Sequence, residues 1–333
     1  MAAAVDLVEV WRGHIRECVH QGHAVICDGS GQIVDAWGDP GAVAYPRSSA
    51  KMLQALPLIE SGAADVFGLR TDQLALACAS HLGAAYHTER VANWLAALGL
   101  GDADLRCGAH EPEDRAARDG LIRAKAAPCQ MHNNCSGKHS GFLTLTRHLQ
   151  AGPEYIDPAH PVQMAVRAAV EEVSGESNLG FGIDGCSAPS FALSVAGMAR
   201  AMAHFATAQD RSGARARAQQ RLVAAMIAHP ELVGANGQAC TELMRACGGR
   251  AAIKGGADGY YVAIIPDLRI GLALKIADGA ARGREGAVAA LLIRLGVLAA
   301  DHPVARRLIN GPFRNWRGLE VGYLRAAPGL IAA

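Results

Sequence analysis

Two apolar runs interrupted by turn-forming residues bracket the chain. In the first, His23-Ala-Val-Ile-Cys-Asp28 and Gln32-Ile-Val-Asp-Ala-Trp37 flank Gly29-Ser30-Gly31, which predicts a β-hairpin. In the second, Gly259-Tyr-Tyr-Val-Ala-Ile-Ile265 and Leu268-Arg-Ile-Gly-Leu-Ala-Leu-Lys-Ile276 flank Pro266-Asp267, which predicts a longer hairpin with an apolar surface open to a partner. Between them the patterning is helical over 71–80, 87–98, 141–149, 160–173 and 214–229, and another helix follows over 282–298. A helix opens at Ser48 or Ser49 and is kinked or ended by Pro57. The run 190–198 reads equally as a strand or a helix start. Strands at both ends and helices between them predict an α/β fold in which both hairpins join one sheet, a single unit over 1–333. The expected sheet lobe covers about 1–45 and 180–333, and a mainly helical lobe about 46–179.

Composition narrows the function classes. Half of the 333 residues are apolar, 19% are charged and the net charge is +1, so nothing electrostatic calls for nucleic acid or an anionic membrane. The N-terminal Met1-Ala-Ala-Ala-Val5-Asp6-Leu7 lacks a basic segment followed by an apolar one, and no apolar run approaches the ~20 residues of a membrane span. The expectation is a soluble, cytoplasmic protein. Its nine cysteines are odd in number, scattered and without a Cys-x-x-Cys pair, which predicts reduced thiols.

The chemistry-bearing residues cluster in short segments. His132-Asn-Asn-Cys-Ser-Gly-Lys-His-Ser-Gly141 concentrates so many polar groups that it predicts a pocket wall, since a buried helix would be built from Leu, Ile and Val. Ser48-Ser-Ala-Lys51 places an amine one helical turn from a hydroxyl, and a deprotonated lysine can act as base for a serine nucleophile. An N-cap followed by a surface lysine has the same spelling. Ser80-His81 followed by Gly83 is a second hydroxyl-bearing turn, or a simple helix cap. Lys254-Gly255-Gly256 ahead of an apolar strand admits either a close backbone approach or a tight turn. Cys135, Lys138 and Cys186 offer two sulfurs and a nitrogen, a donor set for zinc with an open position, although two buried free thiols explain the same letters. Cys107-Gly-Ala-His110-Glu-Pro112 is a polar turn that lines the same cleft or caps a helix.

Tyr45-Pro-Arg-Ser-Ser-Ala-Lys51, Cys78-Ala-Ser-His81, Cys107-Gly-x-His110-x-Pro112, the 132–141 segment, Asp184-Gly-Cys-Ser-Ala-Pro189 and Lys254-Gly-Gly-Ala-Asp-Gly259 occur in an order that resembles the Rhizobium-type L-asparaginase family. The resemblance implies a fold like that of the serine β-lactamases and glutaminases, an antiparallel sheet flanked by helices plus a helical lobe. It implies hydrolysis of L-asparagine to L-aspartate and ammonia, with Ser48 as nucleophile, Lys51 as its base, and Ser80 with Lys254 relaying a proton or supporting the tetrahedral intermediate. It also implies zinc on Cys135, Lys138 and Cys186, dispensable for forming the nucleophile. Charge complementarity then assigns Asp184 to the substrate ammonium, and Arg47 and His139 to its α-carboxylate. Cys240 lies in a further family-like segment, as a site neighbour or a structural thiol. A small-molecule substrate and a homodimer are the expected partners.

Three other functions fit parts of the pattern. A β-lactamase or penicillin-recognising enzyme shares Ser-x-x-Lys but ordinarily needs export. Glutaminase differs by one methylene of substrate, worth only ~1–3 kcal/mol of discrimination. A zinc- or amino-acid-binding protein on this scaffold would have no use for two Ser-Lys tandems.

Overall fold

The computed structural model describes residues 3–177 and 179–331; Met1, Ala2, Asn178, Ala332 and Ala333, included in the expected lobes, lie outside the described residues. Among the described residues no helix is long and apolar enough to cross a membrane. The chain forms two compact units, one of Met1–Ser49, Leu193–Thr207 and Ala239–Ala333, the other of Ala50–Ala192 and Ala208–Gln238.

The first unit is built on an eight-stranded sheet. Its strands are β1 (Val5–Arg12), β2 (Ile15–Cys27), β3 (Ile33–Trp37), β4 (Ala252–Gly255), β5 (Tyr260–Ile265), β6 (Ile270–Ile276), β7 (Pro312–Arg314) and β8 (Glu320–Ala326). The order is β7-β8-β1-β2-β6-β5-β4, with β3 also on β2. Neighbours are antiparallel, and both predicted hairpins meet on β2, where Ala24 pairs with Trp37 of β3 and with Leu274 of β6. The architecture is therefore α/β, as the patterning predicts.

The expectation of an exposed apolar hairpin at Tyr260–Ile276 is overturned. All of β5 is buried, and so is most of β6. A strand covered on both faces is apolar at every position, so a continuous apolar run marks the centre of the sheet and not a free surface. Helix Val195–Ala206 packs on β5 and β6 so closely that a Cβ at Gly271 would overlap the backbone of Ala199 and Ala203. Helix Ala281–Arg294 also packs on these strands and on β1.

The second unit is mainly helical. Its longer helices are Ala85–Ala97, Ser136–His148, Pro161–Ser174 and Ala214–Ala228, together with the shorter Lys51–Gln54, Leu56–Glu60 and Thr71–Ala77. Pro57 sits in the first turn of Leu56–Glu60, and the predicted helix is broken at Ala55. The ambiguous run 190–198 is both things in succession: strands Pro189–Phe191 and Leu193–Ser194, then the start of Val195–Ala206.

Two segments expected in the sheet lobe belong here instead. Residues 180–192 form a small hairpin, Phe181–Ile183 with Pro189–Phe191. Residues 208–238 include helix Ala214–Ala228, which packs on Thr71–Ala77 and Leu56–Glu60. Its arginines tie it to its neighbours: Arg215 pairs with Glu60 and Glu172, and Arg221 with Asp65. An amphipathic helix declares that it needs a partner, but not which one.

Candidate active site

The polar decapeptide is a buried helix start, contrary to the expectation that burial would demand aliphatic residues. Ser136, His139 and Ser140 are fully buried, and Cys135 and Lys138 nearly so. Burial is tolerated because most of the polar groups have partners. The Asn133 amide donates to the carbonyls of Cys107 and Gly108 at 2.9 and 3.0 Å, and its oxygen accepts from the Cys135 N–H at 2.9 Å. Ser140 donates to the Ser136 carbonyl at 2.9 Å, one turn back. Asn133, to which sequence reasoning gave no role, thus ties the Cys107 turn to the helix start.

Gly137 lets this helix reach its neighbour. A Cβ there would overlap the Leu76 carbonyl, and one at Gly141, a turn later, would touch Leu58 and Ala77. Two glycines four apart present one smooth stripe to helix Thr71–Ala77. The turn after that helix carries Ala79, Ser80 and His81, so the same close crossing sets it beside Asn134 and Ser136.

Lys51 is fully buried, and its amine donates to the Ala79 carbonyl and to the Ser80 hydroxyl, the latter at 3.0 Å. The surface-lysine reading is excluded. His81, also buried, accepts the Gly83 N–H on Nδ1 and therefore donates from Nε2 to Ser136 Oγ at 2.9 Å, while Ser136 donates onward to the Met131 carbonyl. Burial, then the neighbouring His87 and Lys51, holds His81 far below the usual histidine range. It is a neutral strut at pH 7.

Cys135, Lys138 and Cys186 meet in the same unit. The Lys138 amine donates to Cys186 Sγ at 3.1 Å. The hydrogen bond from Cys135 depresses the Cys186 thiol strongly and raises that of Cys135, the two sulfurs sharing one proton. Burial works against the Lys138 charge, but Cys186, Cys135 and Asp184 more than offset it and hold the ammonium above the ordinary lysine range. Asp184, half-buried, lies 3.9 Å from Cys186 Sγ. Two sulfurs and an amine at one buried point are a chemically suitable set for zinc, provided the ammonium and the thiol give up their protons. Cys107 does not join them as a reactive thiol, since burial pushes it up to about 12. His139 stands one residue on, with Nδ1 2.8 Å from the Tyr155 hydroxyl.

The first unit holds the other predicted residues. Ser48, half-buried, and buried Ser49 lie in the 3₁₀ turn Arg47–Ala50, which leads directly into Lys51–Gln54. The glycines after Lys254 answer to a close approach: a Cβ on Gly256 would lie 2.5 Å from the Pro46 carbonyl and 2.7 Å from Ser49 Oγ. The Ser48 turn is thereby pressed onto β4, where Ser49 donates to the Lys254 carbonyl at 3.3 Å. Lys254 is buried, and its amine donates to the Gly255 carbonyl at 2.8 Å. Arg47 adopts a left-handed conformation, φ 51°, uncommon for a side-chain-bearing residue, and pairs with Asp258 at 2.5 Å. Cys240 is half-buried; it accepts the Gly255 N–H and contacts the Tyr261 hydroxyl, both at 3.1 Å.

Residues 8–326 match L-asparaginase II. The chain belongs to the L-asparaginase II family. It is the family to which the ordered motifs point. No curated protein matches the chain. Among solved structures, Mglu in its native form is 13% identical with a TM-score of 0.45, the match covering 85% of this chain and 66% of Mglu, just under two thirds. The octameric penicillin-binding protein homologue from Pyrococcus abyssi is 13% identical with a TM-score of 0.35, covering 92% of this chain and 84% of the other.

Proposed function

We propose that this member of the L-asparaginase II family hydrolyses L-asparagine to L-aspartate and ammonia with a serine nucleophile. The observation that carries the reading is the buried Lys51 amine hydrogen-bonded to Ser80 at 3.0 Å. Ser48 attacks the side-chain carboxamide carbon and Lys51 takes its proton. The proton then passes along the Lys51–Ser80 hydrogen bond to the departing nitrogen, which leaves as ammonia, and a water hydrolyses the resulting ester by the reverse route. Lys254 assists Ser80 and the developing oxyanion as a cation. Asp184 receives the substrate ammonium and His139 its α-carboxylate. Arg47 serves the same carboxylate by exchanging Asp258 for substrate.

Cys135, Lys138 and Cys186 are the residues that would hold zinc. When bound, the ion would supply a fixed positive charge that orients and polarises substrate, since the serine already provides the nucleophile.

The test is ammonia release from L-asparagine, L-glutamine and a β-lactam, measured side by side on purified protein. Asparagine is expected to be the preferred substrate. Preference for glutamine would make this a glutaminase, and turnover of the β-lactam alone would overturn the amidohydrolase reading.

A further inference from the structure

We propose that Tyr155 fixes His139 as a hydrogen-bond donor at Nε2, so that His139 receives a substrate oxygen and does not ligate a metal. The inference rests on the asparaginase reading for the identity of that substrate, but not for the state of the imidazole.

His139 and Tyr155 are both fully buried, so neither can satisfy its polar atoms with bulk water. The Tyr155 oxygen accepts the backbone N–H of Arg106 at 2.7 Å and lies 2.8 Å from His139 Nδ1. Two proton arrangements fit these distances. In one, the phenol donates to Nδ1, and the ring proton resides on Nε2. In the other, Nδ1–H donates to the phenol oxygen, whose own hydrogen is left without an acceptor among the described residues. The second arrangement leaves two groups unsatisfied, the phenol hydrogen and the Nε2 lone pair. The first leaves only the Nε2–H, and buried polar groups are rarely left unpaired. Tyr155 therefore selects the first.

Nε2 has no hydrogen-bond partner among the described residues. Next to it in sequence stands Lys138, and a cation–donor pair is complementary to an anionic oxygen. A donor N–H repels an ammonium group and cannot pair with the hydrogens of a carboxamide nitrogen. Of the groups on asparagine, the α-carboxylate satisfies it best. An Nε2 that carries hydrogen has no lone pair in the ring plane for a metal, which separates His139 from the adjacent Cys135 and Lys138. Tyr155 is thus a positioning residue, acting through His139.

The experiment is ¹⁵N NMR of histidine-labelled full-length protein, with His139→Gln identifying the His139 signals. The expected pattern is a protonated Nε2 and an unprotonated Nδ1, and L-aspartate is expected to shift the Nε2–H resonance. A proton on Nδ1, or no response to aspartate, would overturn the inference even in a fully active enzyme. Conversely, the expected pattern in a protein that releases no ammonia would sink the asparaginase reading alone. Tyr155→Phe keeps the ring and removes the hydroxyl. Its expected effect is a mixed tautomer and a KM for L-asparagine raised about tenfold, with kcat changed by less than about twofold. An unchanged KM, or loss confined to kcat, contradicts the assigned role.

Discussion

Lys51 is the residue on which the proposed chemistry converges. It is buried, donates to two oxygens of the Ala79–Ser80 turn, and follows Ser48 by three positions. In the proposed mechanism Lys51 passes the proton it takes from Ser48 to the hydroxyl it already holds, which is why Ser80 is assigned the relay. Cys135 and Cys186 pose a different question at the same scale. As one thiol and one thiolate beside an ammonium they are self-consistent without a metal, and with Lys138 as three deprotonated donors they would suit the proposed zinc site. Metal analysis of the parent against Cys135→Ala decides between these states: zinc near one per chain is expected in the parent, falling sharply in the variant. Equal stoichiometry would remove Cys135 from any metal site.

At the scale of elements, the helix crossing at Gly137 determines whether these residues meet. Gly137→Ala forces a methyl group against the Leu76 carbonyl, backbone that cannot rotate aside. It is expected to cost about 1–3 kcal/mol in urea unfolding, and to lower activity because Lys138 rides on the same turn. Gly120→Ala, in a helix with open space around the site, is expected to be neutral or stabilising by up to about 1 kcal/mol. Equal effects would show that the crossing is loose. The helices and hairpins were legible because each carries its own periodicity and turn residues. Gly137 was visible as a letter but not as a contact, since its neighbour Leu76 is distant in sequence. For the same reason Tyr155 escaped notice: nothing in 150–160 resembles a motif, and its role exists only once His139 and Arg106 are beside it. The polar decapeptide was legible as chemistry but its burial was not, because partners such as Cys107, Met131 and Tyr155 lie outside it.

At the scale of the whole molecule, buried neutral histidines make stability depend on acid. His87 is fully buried, donates from Nε2 to the Glu231 carbonyl at 3.0 Å, and is pulled by burial down to about 4. Unfolded, it titrates near 6.5. Below that pH the unfolded chain binds a proton that the folded chain refuses until about 4. Stability is therefore full above about 6.5 and lost as pH falls towards 4, by about 3 kcal/mol at most from this group. Unfolding free energies measured between pH 7 and 4.5 are expected to fall less steeply for His87→Gln than for the parent; parallel curves would refute the assignment. The family match spans residues 8–326, and in the proposed mechanism the nucleophile is the decisive assignment. Ammonia release from L-asparagine by the parent, Ser48→Ala and Ser80→Ala tests it directly. The account predicts a loss on the order of a thousandfold or more for Ser48→Ala and a smaller loss for Ser80→Ala, whereas full activity in Ser48→Ala would contradict it.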